Sequence, residues 1–133
     1  MKTPTLLLTA ALVLAAADIA LIQPSDLASR LSAKPAIFQV GPHVLYRSKH
    51  IAGAQFAGPG STPTGIALLK SAVDKLPRDR EIVLYCGCCP WDKCPNIQPA
   101  IDTLKQMGFT HVKALYIAQN FKADWIDKGY PVE

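Results

Sequence analysis

Hydrophobic positions after residue 18 alternate between short continuous apolar runs and longer stretches with helical spacing. Short runs of this kind are typical of strands, whereas apolar residues every three or four positions indicate an amphipathic helix. We predict strands at residues 36–40, 51–56, 81–85 and 111–116. We predict helices at residues 24–31, 64–76, 97–107 and 120–128.

The order of these elements predicts the fold class. Strands that alternate with helices at short spacing form βα units, which place parallel strands in one sheet with helices on both faces. The run at residues 81–85 is apolar at nearly every position, as expected of a strand buried on both sides. We therefore predict an α/β fold with a central parallel sheet of about five strands.

The amino-terminal segment has the layout of a secretory signal. Lys2 precedes an apolar run from Leu6 to Ala17, which ends in three consecutive alanines. A short basic region, an apolar region and small residues at the end are the features that signal peptidase recognises. The run is shorter than the roughly 20 residues that span a bilayer. We predict a signal peptide at residues 1–17, a domain at residues 18–133, and a periplasmic or secreted protein that stays on the membrane only if the signal is uncleaved.

Composition and charge narrow the function classes. The chain has 133 residues, of which 50% are hydrophobic, enough for one buried core without disulfide support. The formal net charge is +4, and the basic residues are scattered rather than clustered. Nucleic-acid binding requires a basic patch, so no nucleic-acid partner is predicted.

All four cysteines lie in one nine-residue stretch, Cys86-Gly87-Cys88-Cys89-Pro90-Trp91-Asp92-Lys93-Cys94. A disulfide framework in a small secreted fold ties distant segments together, whereas a bond within this stretch closes only a tiny loop. The cluster therefore indicates a functional site at the end of the strand at residues 81–85.

Five segments in order resemble the rhodanese family, over nearly all of the chain after the signal. They are Ile22-Gln23-Pro24-Ser25-Asp26-Leu27, Tyr46 to Ala54 with His-Ile-Ala-Gly-Ala, Leu76 to Cys86, Leu104 to Phe109, and Trp125 to Val132. The resemblance implies a sulfurtransferase with Cys86 as its catalytic nucleophile. Such enzymes carry sulfane sulfur as a cysteine persulfide, from a small anionic donor such as thiosulfate to a thiol or cyanide-like acceptor. No cofactor is implied.

The chain departs from the family pattern at three places. Gln39-Val40-Gly41 replaces an Asp-x-Arg on the first long strand, and residues 118–121 replace a Gly-Gly before the last helix. The active loop is longer than in ordinary single-domain members and has no arginine, so Lys93 is its only cation. These changes bear on the identity of the substrate rather than on the fold.

Three further loop residues are candidates for substrate binding. Gly87 begins the tight turn after Cys86, and Lys93 has the charge to hold an anionic donor. Trp91 either walls a pocket or fixes the loop by packing, and the sequence leaves both open. His50, in the family's His-Ile-x-Gly-Ala segment, is expected to form a structural hydrogen bond.

The other cysteines, Cys88, Cys89 and Cys94, admit three interpretations. They are relay or resolving thiols, with Cys89 or Cys94 attacking a persulfide on Cys86 to release sulfide. Alternatively, Cys86, Cys89 and Cys94 bind a soft metal such as Cu(I). In the third interpretation, cysteines of the loop form a static disulfide that shapes it. The first hypothesis is a sulfurtransferase that binds no metal; the alternative is a non-catalytic thiol module that binds metal or exchanges disulfides with a redox partner.

Overall fold

The computed structural model describes Lys2 and residues 19–133. The predicted signal peptide, residues 1–17, lies outside the described residues apart from Lys2, so it stays a prediction. Among the helices that the structure does describe, none is long and apolar enough to cross a membrane.

Five strands and four α-helices alternate along the described chain. The strands are β1 (Leu21–Ile22), β2 (Ala36–Gln39), β3 (Gln55–Phe56), β4 (Ile82–Tyr85) and β5 (Val112–Leu115). The helices are α1 (Pro24–Ser29), α2 (His43–Ser48), α3 (Pro63–Val73) and α4 (Ile97–Gln106). A 3₁₀ turn at Leu31–Ala33 follows α1, and a π-helical turn at Lys122–Ile126 follows β5.

All five strands are parallel and form one sheet in the order β1-β5-β4-β2-β3. The apolar strand β4 occupies the centre, and each of its four residues is buried. One face packs against α3 and α4, through side chains such as Leu69 and Leu104. The other packs against α1 and the π-helical turn, through Leu27 and Trp125. The predicted α/β class and parallel sheet are confirmed.

Local signals in the sequence explain where the helices begin and end. Thr62 caps α3, since its hydroxyl accepts a hydrogen bond from the Gly65 N–H at 3.0 Å, and Pro63 occupies the first turn. Helix α4 ends just before Gly108, whose φ of +93° is the left-handed conformation that terminates helices.

Three elements differ from the sequence prediction. The strand predicted at residues 51–56 is only β3, because Gly53 at φ +82° breaks the extended run and Ile51 forms an antiparallel bridge with Val132 instead. Helix α2 was not predicted, since Gly41 and Pro42 signal a break just before it. The last helix is shorter than predicted: the Asp124 carboxylate accepts the Gln119 and Asn120 N–H groups and so closes a turn ahead of it.

Candidate functional site

Cys86 directly follows the central strand β4, at the edge where the parallel strands end. Its side chain is 3% exposed and belongs to the core on the α3–α4 face. Gly87 then turns the chain with a φ of +87°, a conformation that disfavours other residues. In a parallel α/β sheet this edge is where ligands bind, so Cys86 occupies the expected place for a reactive group.

The loop returns to Cys86 through a turn at residues 90–93. The Lys93 N–H donates to the Pro90 carbonyl at 3.0 Å, and the Trp91 N–H donates to the Ile117 carbonyl at 3.0 Å. The second bond anchors the loop to the chain just beyond β5. As a result Cys94, which is also buried, lies beside Cys86.

Cys86 and Cys94 form a disulfide, with their Cα atoms 6.8 Å apart, whereas Cys88 and Cys89 are free thiols. The pairing that the sequence left open is therefore between the two buried cysteines. The free thiols remain close: the Cys88 Sγ lies 3.1 Å from the Cys86 Sγ and 2.8 Å from the Cys89 Sγ. Two thiols on the accessible side of a buried disulfide can take part in exchange with it.

Burial raises the pKa of the Cys88 thiol, although its side chain is exposed as a whole. The hydrogen bond with Cys89 and the charge of that neighbour raise it further, and its own backbone N–H offsets part of the effect, giving a pKa of about 12. Cys88 is therefore a protonated thiol at neutral pH, which makes it a poor nucleophile in this arrangement.

Asn96 holds the sulfur of Cys86 from the side of α4. Its side chain is 5% exposed; its Oδ1 accepts the Ser61 N–H at 3.0 Å, and its Nδ2 donates to the Cys86 Sγ at 3.4 Å. The Ser61 N–H can only donate, so it fixes the amide with the Nδ2 towards the sulfur. An N–H aimed at a sulfur favours its thiolate form when the disulfide is open.

Gln39 holds the backbone of Cys86 from the side of β2. Its Nε2 donates to the Cys86 carbonyl at 2.6 Å, and the side chain is 1% exposed. An ionised aspartate at this place could not donate that bond. The Gln39 Oε1 is buried and has no hydrogen-bond partner among the described residues, so this side chain has an unused acceptor beside the site.

Small residues make room for this arrangement. A Cβ at Gly41 would overlap the Cys86 carbonyl and come within 3.0 Å of its sulfur, and a Cβ at Gly60 would overlap the Asn96 carbonyl. The loops after β2 and β3 can therefore approach the cysteines only because glycine occupies both positions.

The three candidate substrate-binding residues have different surroundings. The ring of Trp91 packs against Tyr116, with the ring centroids 6.5 Å apart, and Lys93 is exposed. Gly87 borders a cavity of about 310 Å³ whose wall includes Gln39, Lys49 and Lys122. These contacts give Trp91 an anchoring place in the loop. Of the two lysines in the cavity wall, Lys122 is paired with Asp127 at 2.9 Å.

Asn96 and Gln39 contact Cys86, although neither is a site candidate by its position in the sequence. Asn96 precedes the predicted helix and has the position of an ordinary cap, yet its side chain bonds Ser61 and Cys86 instead. His50 makes the structural bond expected of it, between its Nδ1 and the Tyr46 carbonyl at 2.8 Å.

No family model matches the sequence, and no curated protein matches it either. Solved structures do. The Alr3790 protein from Anabaena sp. is 25% identical with a TM-score of 0.64, over 84% of this chain and 90% of that one. The X-ray structure of that protein's rhodanese-like domain is 27% identical with a TM-score of 0.55, over 80% of this chain and 94% of that one.

A third similar structure is the BH2092 protein from Bacillus halodurans. It is 20% identical with a TM-score of 0.64, and the match covers 86% of this chain and 76% of that chain. At this identity the similarity concerns the fold alone. The three matches each span most of both chains, so the likeness extends over the whole sheet and its helices.

Proposed function

We propose that this chain, a rhodanese-like single domain, is a sulfurtransferase that carries sulfane sulfur as a persulfide on Cys86. The observation that carries the proposal is the position of Cys86. It follows the central strand at the ligand-binding edge of the sheet, and the buried amide of Asn96 donates towards its sulfur. A thiolate at such a place is a suitable nucleophile for a small sulfur donor.

The first half-reaction starts from the reduced loop. The Cys86 thiolate attacks the outer sulfur of a thiosulfate-like donor; a new S–S bond forms, the bond within the donor breaks, and sulfite leaves with the electron pair. An acceptor thiolate or cyanide then attacks the outer sulfur of the persulfide. The product departs with that sulfur, and Cys86 returns to the thiolate.

Cys94 is the resolving thiol in this proposal. When no acceptor arrives, the Cys94 thiolate attacks the Cys86 sulfur, hydrosulfide leaves, and the Cys86–Cys94 disulfide forms. That disulfide is the state that the structure presents. A dithiol reductant must then supply two electrons to reopen it, and is itself oxidised to a disulfide.

The neighbours of Cys86 supply positioning and charge. Asn96 stabilises the thiolate through its Nδ2, and Gln39 holds the Cys86 carbonyl and so fixes the start of the loop. Lys93, exposed on the same loop, supplies a positive charge for the anionic donor. Preorganised donors of this kind commonly contribute a few kcal/mol each to a developing or transferred charge.

A second candidate is a redox module that exchanges disulfides with a protein partner. It is favoured by the Cys86–Cys94 disulfide itself, a bond that a dithiol partner can reduce. In this scheme a partner dithiol reduces the Cys86–Cys94 bond and becomes a disulfide. No sulfane sulfur moves, which separates it from the first proposal.

The disulfide also fits the proposed periplasmic or secreted location, since disulfides persist in oxidising compartments. The location is tested by expressing the full chain in bacteria and measuring the amino-terminal mass of the exported product. Removal of residues 1–17 supports it. A protein retained in the cytoplasm with its amino terminus intact contradicts it.

Sulfur transfer is tested by steady-state turnover of thiosulfate with cyanide, scored as thiocyanate. We expect turnover only after reduction with a phosphine and removal of the reductant, because the disulfide blocks Cys86. The Cys86→Ala variant should be inactive. If the reduced protein gives no thiocyanate yet reduces a dithiol partner's disulfide, the redox candidate replaces the sulfurtransferase.

A further inference from the structure

We propose that the reduced loop binds one Zn²⁺ ion through the thiolates of all four of its cysteines. The sulfur atoms of Cys86, Cys88, Cys89 and Cys94 all lie within 4.8 Å of one another. In a tetrahedral site with Zn–S bonds of about 2.3 Å, sulfurs stand roughly 3.8 Å apart. The loop thus gathers its four thiols within reach of one ion, and opening the disulfide lets the sulfurs move apart to tetrahedral spacing.

The nature of the donors selects the class of metal. All four donors of the group are cysteine sulfurs, and four thiolates at tetrahedral positions are the ligand set of closed zinc sites. The sequence alone suggested a site for Cu(I) built from Cys86, Cys89 and Cys94. The structure adds Cys88, whose sulfur lies 3.1 Å from that of Cys86 and 2.8 Å from that of Cys89.

The scaffold around the thiols is already built. Cys86 is fixed by β4, and the Trp91 N–H ties the middle of the loop to the Ile117 carbonyl. From outside the cluster, the Asn96 Nδ2 donates to the Cys86 Sγ, and the Asn96 Oδ1 accepts a hydrogen bond from the Ser61 N–H. Ligand atoms that are hydrogen-bonded from behind in this way keep their orientation and bind metal more tightly.

Metal binding and the disulfide exclude each other. Two of the four ligands are joined in the Cys86–Cys94 bond, so a dithiol or phosphine reductant must first supply two electrons. The four thiols then lose their protons to solvent as the ion binds. A persulfide on Cys86 removes the same ligand. The loop therefore alternates between an oxidised form, a sulfur-carrying form and a metal-bound form.

Binding is measured on the full mature chain, reduced with a phosphine and desalted without oxygen. We expect native mass spectrometry to show one Zn²⁺ per chain, and competition with a chromophoric chelator to give its affinity. The oxidised protein should bind none. Bound Zn²⁺ should also protect the four thiols from alkylation by a maleimide.

Single variants identify the ligands. Cys88→Ser and Cys89→Ser should each weaken Zn²⁺ binding by at least about 10-fold, as expected when one of four thiolates is lost. Asp92→Asn, in the same loop, is the matched control and should bind as the wild type does. Circular dichroism of each variant checks that it folds, and charge-transfer absorption of the Co²⁺ form counts the thiolates directly.

The proposal is overturned if the reduced wild type binds no Zn²⁺, or if Cys88→Ser and Cys89→Ser bind it like the wild type. Binding of Cu(I) without Zn²⁺ also contradicts it, since Cu(I) needs only two or three thiolates. These results are independent of sulfur transfer, which is measured on the metal-free protein. Loss of one activity therefore leaves the other testable.

Discussion

The two ends of the central sheet differ in how far their polar side chains are buried. At the carboxyl ends of the strands, Gln39 and Asn96 are 1% and 5% exposed, and both contact Cys86. At the amino ends, Glu81 pairs with Arg30 at 3.1 Å and with Lys113 at 3.0 Å, and these side chains are 30% to 46% exposed. One end buries neutral amides, whereas the other keeps charges near water.

This difference indicates where the chemistry lies. A buried amide without hydrogen-bond partners destabilises the fold. Its surroundings must therefore supply those partners at defined positions. Exposed ion pairs contribute little and tolerate replacement. Polar burial at the carboxyl end therefore supports the proposed site there.

The largest effect is expected from the two cysteines of the disulfide. In reduced protein, Cys86→Ser should lower sulfur uptake from thiosulfate by at least about 1,000-fold, because the nucleophile is lost. Cys94→Ser should still take up sulfur and hold it longer, since no internal thiol releases it. The persulfide is followed over time by mass spectrometry. Equal persulfide lifetimes in the wild type and Cys94→Ser would rule out Cys94 as the resolving thiol.

Gln39→Glu should destabilise the fold by roughly 3 kcal/mol or more at pH 7, because it buries an unpaired carboxylate against the Cys86 carbonyl. Gln39→Met, the neutral control, should lose about 1–2 kcal/mol, since that carbonyl loses its donor. Burial favours the protonated acid, so its folded-state pKa is raised and the loss should shrink as the pH falls. Urea unfolding of both variants at pH 7 and pH 4 measures the two losses of stability. Equal losses at the two pH values would contradict the burial of the carboxylate.

Asn96→Ala should cost about 1–2 kcal/mol, because the Ser61 N–H loses its acceptor. Asn96→Asp keeps an acceptor for Ser61 but removes the donor to the sulfur and adds a negative charge beside it. We expect alkylation of Cys86 in the reduced Asn96→Asp protein to require higher pH than in the wild type. If its alkylation profile matches the wild type, Asn96 has only a structural role.

The smallest effect is expected at the amino end. Burial raises the pKa of Glu81, but the hydrogen bond from Lys113 and the charges of Lys113 and Arg30 outweigh it, so the pKa lies below its ordinary value. A depressed pKa stabilises the fold above the unfolded-state pKa, and the gain is lost as the pH falls through the folded-state value. Glu81→Gln should therefore lose at most about 1 kcal/mol at pH 7 and nothing near pH 2. A loss that persists in acid would point to packing instead.

Most of the fold was predictable because its signals are local. Each signal depends on a few adjacent residues. Examples are the continuous apolar run of β4, the capped start of α3 and the glycine that ends α4. The strand predicted at residues 51–56 failed where a single glycine, Gly53, redirected the chain. Helix α2 was hidden by the break signal that precedes it.

The site was predictable only in part. The cysteine cluster is visible in sequence because its residues are adjacent, and Cys86 is placed by the strand before it. The partner of Cys86 and the role of Asn96 depend on how the loop folds back and on the approach of the Ser61 loop across 35 residues. Cys94 is only eight residues from Cys86, so its pairing depends on the path of the loop, which the spacing of the cysteines does not fix. The contact between Ser61 and Asn96 joins distant segments and leaves no periodic signal in one sequence.

The most direct test of sulfur transfer is intact-mass analysis with peptide mapping of the reduced, metal-free protein before and after thiosulfate. We expect a gain of one sulfur atom, located on Cys86, and no gain when the Cys86–Cys94 disulfide is left intact. A reduced protein that gains no sulfur, or gains it on Cys88 or Cys89 instead, would contradict the assignment of Cys86 as the sulfur carrier.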